Sequence, residues 1–267
     1  MSENPQAAKS ISFDRAAGFY DRTRGHDPAV SRQIADTFQS LVPPASRLLE
    51  IGIGTGRIAI PLMQRGYAVF GIDLSRRMME RLSLNLPANL NPPGLAEANA
   101  GFLPFASASF DAVVTVHVFH LIAEWRQTLA EIRRILRPGG SLIHGLDWRP
   151  EDAPSGKIRD RWLAILQAHG RSSQQPGIHY DQLDEYLRAA GATLEEYIAA
   201  EWESPFSVNE YIQEMADGVY SISWQAPLDQ RPGYVEELHN WALTTFPHPD
   251  ETIYIPRRFI WQRYSWQ

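Results

Sequence analysis

A chain of 267 residues, 44% hydrophobic and 21% charged, has enough apolar material for one large domain or a domain with an inserted subdomain. A net charge of −6 without any run of Lys or Arg argues against nucleic acid as the main partner, and the absence of cysteine excludes disulfides, thiolate metal sites and a cysteine nucleophile. Residues 1–10 are polar and no stretch of about 18 apolar residues occurs, so the chain reads as soluble, cytoplasmic and without a membrane partner.

In chain order, residues 1–9 read as disordered. Tyr20-Asp21-Arg22-Thr23-Arg24 follows, then a helical pattern from Pro28 through Ile34 and Phe38 that ends at Pro43-Pro44, because a residue before proline is pushed out of the helical region. Leu48-Leu49-Glu50-Ile51 reads as a short buried strand. Gly52, Gly54 and Gly56 come next at alternate positions, followed by an apolar helix that stops at Arg65-Gly66. Strand, glycine turn and helix make a cradle for a nucleotide cofactor. Glycine lets the backbone approach a ligand with no Cβ in the way, and a helix N-terminus offers N–H groups and a positive dipole end. The spacing is Glu-x-Gly-x-Gly-x-Gly, not the Gly-x-Gly-x-x-Gly of dinucleotide sites. A plain strand-to-helix turn without a ligand would use the same residues.

Tyr67 to Ile72 reads as a second buried strand, with Asp73-Leu74-Ser75 at its carboxyl end. Ligands of doubly wound sheets bind there, and an acid at that place can accept both ribose hydroxyls of an adenosine. Asp73 or Ser75 also suits the cap of the next helix, Arg76 to about Leu86, whose Met78 could pack on an adenine edge or in the core. Asn91-Pro92-Pro93-Gly94 reads as a turn. Asp111 opens a fourth strand expected to run through Val113-Val114-Thr115-Val116-His117-Val118-Phe119-His120. A helix from Glu124 carries Trp125, Leu129, Ile132 and Leu136 on one face, ends at Arg137-Pro138-Gly139-Gly140, and leads into strand Ser141–Asp147.

Beyond Trp148, Ile158–His169 and Tyr180–Ala190 read as helices and Ala192–Glu203 as a sixth strand. Ser207-x-x-Glu210 has the form of a capping box, and Tyr234–Thr245 is a further helix. Residues 205–250 hold Phe206, Tyr211, Tyr220, Trp224, Tyr234, Trp241 and Phe246, which suit either a mobile lid or a small helical core. Arg257–Trp266 alternates as a closing strand does.

Several of these segments resemble, in order, the class I S-adenosylmethionine-dependent methyltransferases. Glu50 to Gly56 resembles their motif I. Asn99-Ala100-Gly101-Phe102-Leu103-Pro104-Phe105 with Ser109-Phe110-Asp111 is similar to their Asp-Ala-x-x-Leu-Pro-Phe and Ser-Phe-Asp pair. Leu136 to Leu142 is similar to their Leu-x-Pro-Gly-Gly-x-Leu join. Residues 20–24 resemble the N-terminal segment of the ubiquinone- and menaquinone-biosynthesis-like small-molecule group. The resemblance covers roughly residues 13–148.

It implies an α/β fold: a Rossmann-like seven-stranded sheet with helices on both faces, the last strand antiparallel, and a helical lid insertion over the sheet's carboxyl edge. A single domain 1–267 would then comprise a cap at 10–42, a core at 45–204 and 251–267, and the insertion at 205–250. The implied cofactor is S-adenosyl-L-methionine, and the implied partner is a small-molecule methyl acceptor. Tyr20 would cover the cofactor, and Arg24 (or Arg22) would meet its carboxylate through a planar fork. Glu50, Gly52, Gly54, Gly56, Asp73, Leu74, Met78, Asn99, Ala100, Val116 and His117 would surround it. Asn99 stands where the family has an acid for the adenine amino group, and its carbonyl can accept that bond without charge. His120 is expected as a general base at the end of strand four, with packing as the alternative role. No metal is expected, because His117 and His120 lack an acid at ligand spacing. A nicotinamide or flavin oxidoreductase and a non-catalytic adenosylmethionine-binding protein share the same sheet and stay open at this point.

Overall fold

The computed structural model describes residues 9–171 and 175–266. The disorder expected for residues 1–9 therefore lies, Lys9 apart, outside the described residues.

The strands are β1 (Arg47–Ile51), β2 (Ala68–Asp73), β3 (Gly94–Glu97), β4 (Phe110–Val116), β5 (Leu136–Trp148), β6 (Thr193–Phe206) and β7 (Ile253–Ser265). They form one sheet in the order β3-β2-β1-β4-β5-β7-β6. Pairings β1–β2, β1–β4, β2–β3 and β4–β5 are parallel. β7 runs against both its neighbours. Thr193 and Gln262 of the β6–β7 pair bond to Ser265 and Glu196 at 3.2 and 2.9 Å, so early β6 faces late β7. Ser141 and Ser265 meet at 3.0 Å across β5 and β7 in the same opposed sense. The order reverses direction between β1 and β4, which opens a crevice at the carboxyl ends of those strands.

β1 and β4 are buried on both faces, as parallel strands between helical layers must be. The helices are α1 (Tyr20–Arg24), α2 (Pro28–Leu41), α3 (Ala59–Met63), α4 (Arg76–Asn85), α5 (Trp125–Ile135), α6 (Pro154–Ala168), α7 (Tyr180–Ala189), α8 (Val208–Ala216) and α9 (Arg231–Thr245). Their caps follow the sequence: Asp27 accepts from Ala29 N at 2.7 Å, Ser75 from Met78 N at 3.1 Å, and Ser207 from Glu210 N at 3.4 Å.

Among the differences from expectation, two bear on the site. β4 stops at Val116, not His120: β1, its partner on one side, ends at Ile51 opposite Thr115, and the chain turns away from β5, which runs on to Trp148. His117 turns into the left-handed region at φ +52°, and Phe119–Leu121 make one tight 3₁₀ turn. β5 starts at Leu136, not Ser141, because Leu136 already pairs with Phe110 ahead of a bulge around Arg137–Gly140.

The chain clusters into two compact units: residues 1–146, 176–200 and 259–267, and residues 147–175 with 201–258. In the second unit Ile158, Trp162 and Leu166 of α6 pack with Ile212 and Met215 of α8 and Leu238 and Ala242 of α9. Tyr234 is buried in this core, and Phe206, Tyr211, Tyr220, Trp241 and Phe246 pack against it.

Gly71, mid-strand in β2, is required by its neighbour. A Cβ there would lie 2.2 Å from Ile53 Cδ1 and 2.8 Å from Ile53 Cβ. Gly71→Ala is expected to destabilise by about 1–3 kcal/mol through overpacking and to disturb the turn that carries Ile53. A denaturation midpoint equal to wild type would show that Ile53 swings aside without cost.

Candidate cofactor site

The site grows from the turn after β1. Gly52 (φ +74°) and Gly54 (φ +55°) sit where a side chain would be strained, and a Cβ on Gly52 would also lie 2.8 Å from Val118 Cγ2. Gly52 N and Ile53 N both donate to Ile72 O, at 2.8 and 3.0 Å, which locks the turn to the end of β2. Asp73 completes the lock: its Oδ2 accepts from Gly54 N at 2.9 Å and its Oδ1 from Ser75 N at 2.8 Å. Burial raises the Asp73 carboxyl above its usual range, against the pull of those backbone N–H groups. A carboxylate has about four acceptor sites, so two bonds leave capacity for a pair of ribose hydroxyls.

One cavity gathers most residues singled out from the sequence: Tyr20, Gly52, Gly54, Asp73, Leu74, Met78, Asn99, Ala100, Val116 and His117 all line it. Asn99 Oδ1 accepts from Gly101 N at 2.8 Å, which fixes the amide and leaves it a lone pair and the NH₂ group. Gly56, Glu50, Arg24, Arg22 and His120 are not on the cavity wall. Gly56 (φ +85°) shapes the turn from behind, against Ile60. Glu50 is buried in β1, and its Oε2 has no hydrogen-bond partner among the described residues. Burial pushes its pKa up to about 8, with Arg57 pulling the other way. The Arg24 carbonyl accepts from Arg57 Nη1 at 3.2 Å, and the same nitrogen meets His26 Nε2 at 3.2 Å.

The histidines separate. His117 is exposed on the wall. His120, in the 3₁₀ turn below, has its pKa pushed down to about 3, by burial first and then by the charges of His117, His179, Arg24 and His144. His144 of β5 is likewise lowered to about 3 by burial, and its Nδ1 lies 2.9 Å from Thr115 Oγ1. An imidazole with a pKa near 3 is a far weaker base than the free side chain considered from the sequence.

The sequence reading places a cap at 10–42 with Tyr20 over the cofactor, and does not single out the residues at its start that line the cavity. Ser10, Ile11 and Phe13 line the cavity, as do Leu121 and Ile122. Ile11 N donates to Leu121 O at 3.0 Å, Ser10 Oγ accepts from Ala123 N at 3.0 Å, and Ser75 Oγ donates to Asp14 Oδ1 at 2.6 Å. Phe13 meets Tyr20 edge-on at 6.0 Å. The donor set fits S-adenosylmethionine: a glycine cradle, a ribose-competent carboxylate, an apolar wall, and a buried carboxyl oxygen still lacking a partner.

Residues 49–144 match the family described as Methyltransferase domain. An uncharacterized methyltransferase of Mycobacterium tuberculosis is 34% identical over 152 residues, 57% of each chain. The demethylmenaquinone methyltransferase of Renibacterium salmoninarum is 29% identical over 184 residues, 66% of this chain and 75% of that one. The chain thus spans about 57% of the length of the mycobacterial relatives it matches. The solved structure of the YcgJ protein from Bacillus subtilis shares the fold, with a TM-score of 0.59 at 19% identity over 88% of this chain and 98% of that one. Residues 49–144 thus carry the pattern of a methyltransferase domain, on a fold shared with that solved structure. Among the described residues no helix is long and apolar enough to cross a membrane, and no group of three or more His, Asp or Glu side chains could hold a metal.

Proposed function

We propose that the protein transfers a methyl group from S-adenosylmethionine to a small organic acceptor in the cytoplasm. The observation that carries this reading is Asp73, held by Gly54 N and Ser75 N at the carboxyl end of β2, on the wall of the cavity beside the glycine turn. The cofactor, when bound, supplies a sulfonium-activated methyl group that an acceptor nucleophile takes while sulfur keeps the bonding pair. The chain's own work is to bind, orient and keep water out. Asp73 holds the ribose and Asn99 meets the adenine amino group, with Leu74 and Met78 against the ring. Glu50 Oε2 is the acceptor available to the ammonium group, and Arg24 is the cation proposed for the carboxylate. Tyr20, Phe13 and Ile11 cover the cavity. A relative named as a demethylmenaquinone methyltransferase agrees with a small organic acceptor.

Calorimetric titration tests the cofactor: S-adenosylmethionine and its demethylated product should bind, and NAD should not. Preferential binding of NAD would overturn the reading. Release of S-adenosylhomocysteine in a screen of small acceptors tests transfer. Asn99→Asp is expected to bind cofactor as well as wild type or slightly better, and a large loss would show that Asn99 faces something other than adenine.

Where the acceptor must lose a proton, we place its acceptance at His117, the imidazole on the wall, and give His120 a positioning role. With an acceptor in hand, His117→Gln should flatten the acidic limb of the pH–rate profile while His120→Gln leaves it in place. The reverse pattern would return the base to His120.

A further inference from the structure

The second unit holds a cavity of its own, a groove of about 580 Å³ between α8 and α9. Asn209, Ile212, Gln213 and Ala216 line it from α8, and Pro232, Val235, Glu236 and His239 from α9. On each helix these positions are i, i+3, i+4 and i+7, one face over two turns. The helices run antiparallel. At the start of α8, Asn209 N donates to Pro249 O at 3.1 Å and Asn209 Nδ2 to Asp250 Oδ1 at 2.5 Å, on the chain that leaves α9. Past the other end of α8, a Cβ on Gly218 would lie 3.0 Å from Nη1 of Arg231, the first residue of α9.

That arrangement gives the groove two unlike ends. Ala216, Leu228 and Pro232 make one end apolar, Ile212 and Val235 line the middle, and Glu236 and His239 line the half toward Asn209. Leu228 is 74% exposed, a large apolar side chain left uncovered at the groove's mouth. The polar half is rich in acceptors. Glu236 is exposed, His239 is half-buried, and among the described residues neither has a hydrogen bond or an ion pair. Gln213 spends an amide N–H on Asp217 Oδ1 at 2.9 Å, which leaves its carbonyl oxygen as an acceptor. Arg231 is buried at the apolar end, where its Nη2 donates to Ala226 O at 3.4 Å. Five residues separate it from Glu236, about 7.5 Å along the helix axis.

We propose that this groove binds an organic ammonium ion with an apolar body. The ammonium group sits at Glu236 and His239, and the body runs past Ile212 and Val235 to Leu228. An ammonium group has three donors and no acceptor, which a carboxylate and a neutral imidazole nitrogen can receive. A carboxylate ligand would bring a like charge to Glu236, and a neutral alcohol would keep the apolar contacts without the ion pair. The volume suits a small organic molecule. All the residues involved belong to one unit, so the site is independent of the cofactor cavity and of the methyltransferase reading.

The test titrates the full chain with hexylammonium by saturation-transfer NMR and calorimetry, at pH 8, where an ordinary imidazole is neutral and an alkylamine is charged. Saturable binding is expected, with hexanol and methylammonium each about tenfold weaker and hexanoate not binding. Glu236→Gln should weaken hexylammonium about fivefold and leave hexanol unchanged. Ala216→Phe, which fills the apolar end, should weaken both. Glu236 is exposed, so Glu236→Gln should keep the near-ultraviolet circular dichroism of the wild type, which reads the tryptophans of this unit. Hexylammonium affinity should be the same with and without saturating S-adenosylhomocysteine. No saturable binding by wild type, hexanol binding as tightly as hexylammonium, wild-type affinity in Glu236→Gln, or competition with S-adenosylhomocysteine would overturn the proposal. A chain that binds hexylammonium and no S-adenosylmethionine would lose the methyltransferase reading and keep this one.

Discussion

Asp73→Ala is expected to lower affinity for S-adenosylmethionine by about 2–3 kcal/mol, roughly 30- to 150-fold, the scale of charge-assisted hydrogen bonds lost at a buried site. Two losses combine in that figure. The ribose hydroxyls lose their acceptor, and Gly54 N and Ser75 N lose the oxygens that hold the glycine turn against β2. Asp73→Asn separates them, because an amide keeps one oxygen acceptor and the side-chain shape while giving up the charge. Its affinity should fall between those of wild type and Asp73→Ala. Since burial raises the Asp73 carboxyl, cofactor affinity should also weaken as pH falls through that raised value, and this limb should vanish in Asp73→Asn. Titration calorimetry reads all three. Wild-type affinity in Asp73→Ala would remove the carboxylate from ribose recognition.

The parts of this site that were legible in the sequence are those whose geometry is local. Glu50 to Gly56 and Asp73 announce a strand end, a left-handed turn and an acid within 24 residues, and β1–β2 pairing brings them together. The cap at 10–42 was expected, but the contacts that close it were not legible, because they join Ser10 to Glu124 and Ile11 to Leu121 and leave no periodic trace. Strand four was overextended for a similar reason. Val116-His117-Val118-Phe119 has the β-branched and aromatic character of a strand, but β1 ends at Ile51 opposite Thr115 and the chain turns at His117 while β5 runs on to Trp148. That one turn at His117 puts its imidazole on the wall and leaves His120 half-buried and off it. Neither burial nor the resulting weak basicity of His120 is visible in a residue name.

Burial of titratable groups also predicts an unusual stability profile for the cofactor-free protein. His120 and His144 fall from 6.5 to about 3 on folding. Between those values the unfolded chain binds protons that the folded chain refuses. Stability therefore rises with pH by about 1.4 kcal/mol per unit for each imidazole, and the contribution is complete above pH 6.5. Glu50 acts in the opposite sense. Its pKa rises from 4.5 to about 8 on folding, so across that window the folded chain keeps a proton that the unfolded chain has lost. Stability then falls by about 1.4 kcal/mol per unit from pH 4.5 to 8. Two imidazoles outweigh the Glu50 carboxyl below pH 6.5, where the raised Asp73 carboxyl, acting in the same sense as Glu50, flattens the rise without reversing it; above pH 6.5 only the carboxyl side acts, so the maximum is expected near pH 6.5. Urea midpoints measured across pH 4–8.5 check this. Glu50→Gln should abolish the decline on the alkaline side and leave the acid side steeper. A wild-type midpoint that keeps rising from pH 6.5 to 8 would mean that Glu50 is ionised in the folded chain. Cofactor should reverse the effect, because an ammonium group beside Glu50 favours the carboxylate. Binding at pH 7 should then release a proton, seen as a dependence of binding enthalpy on the ionisation enthalpy of the buffer, and Glu50→Gln should lose that dependence.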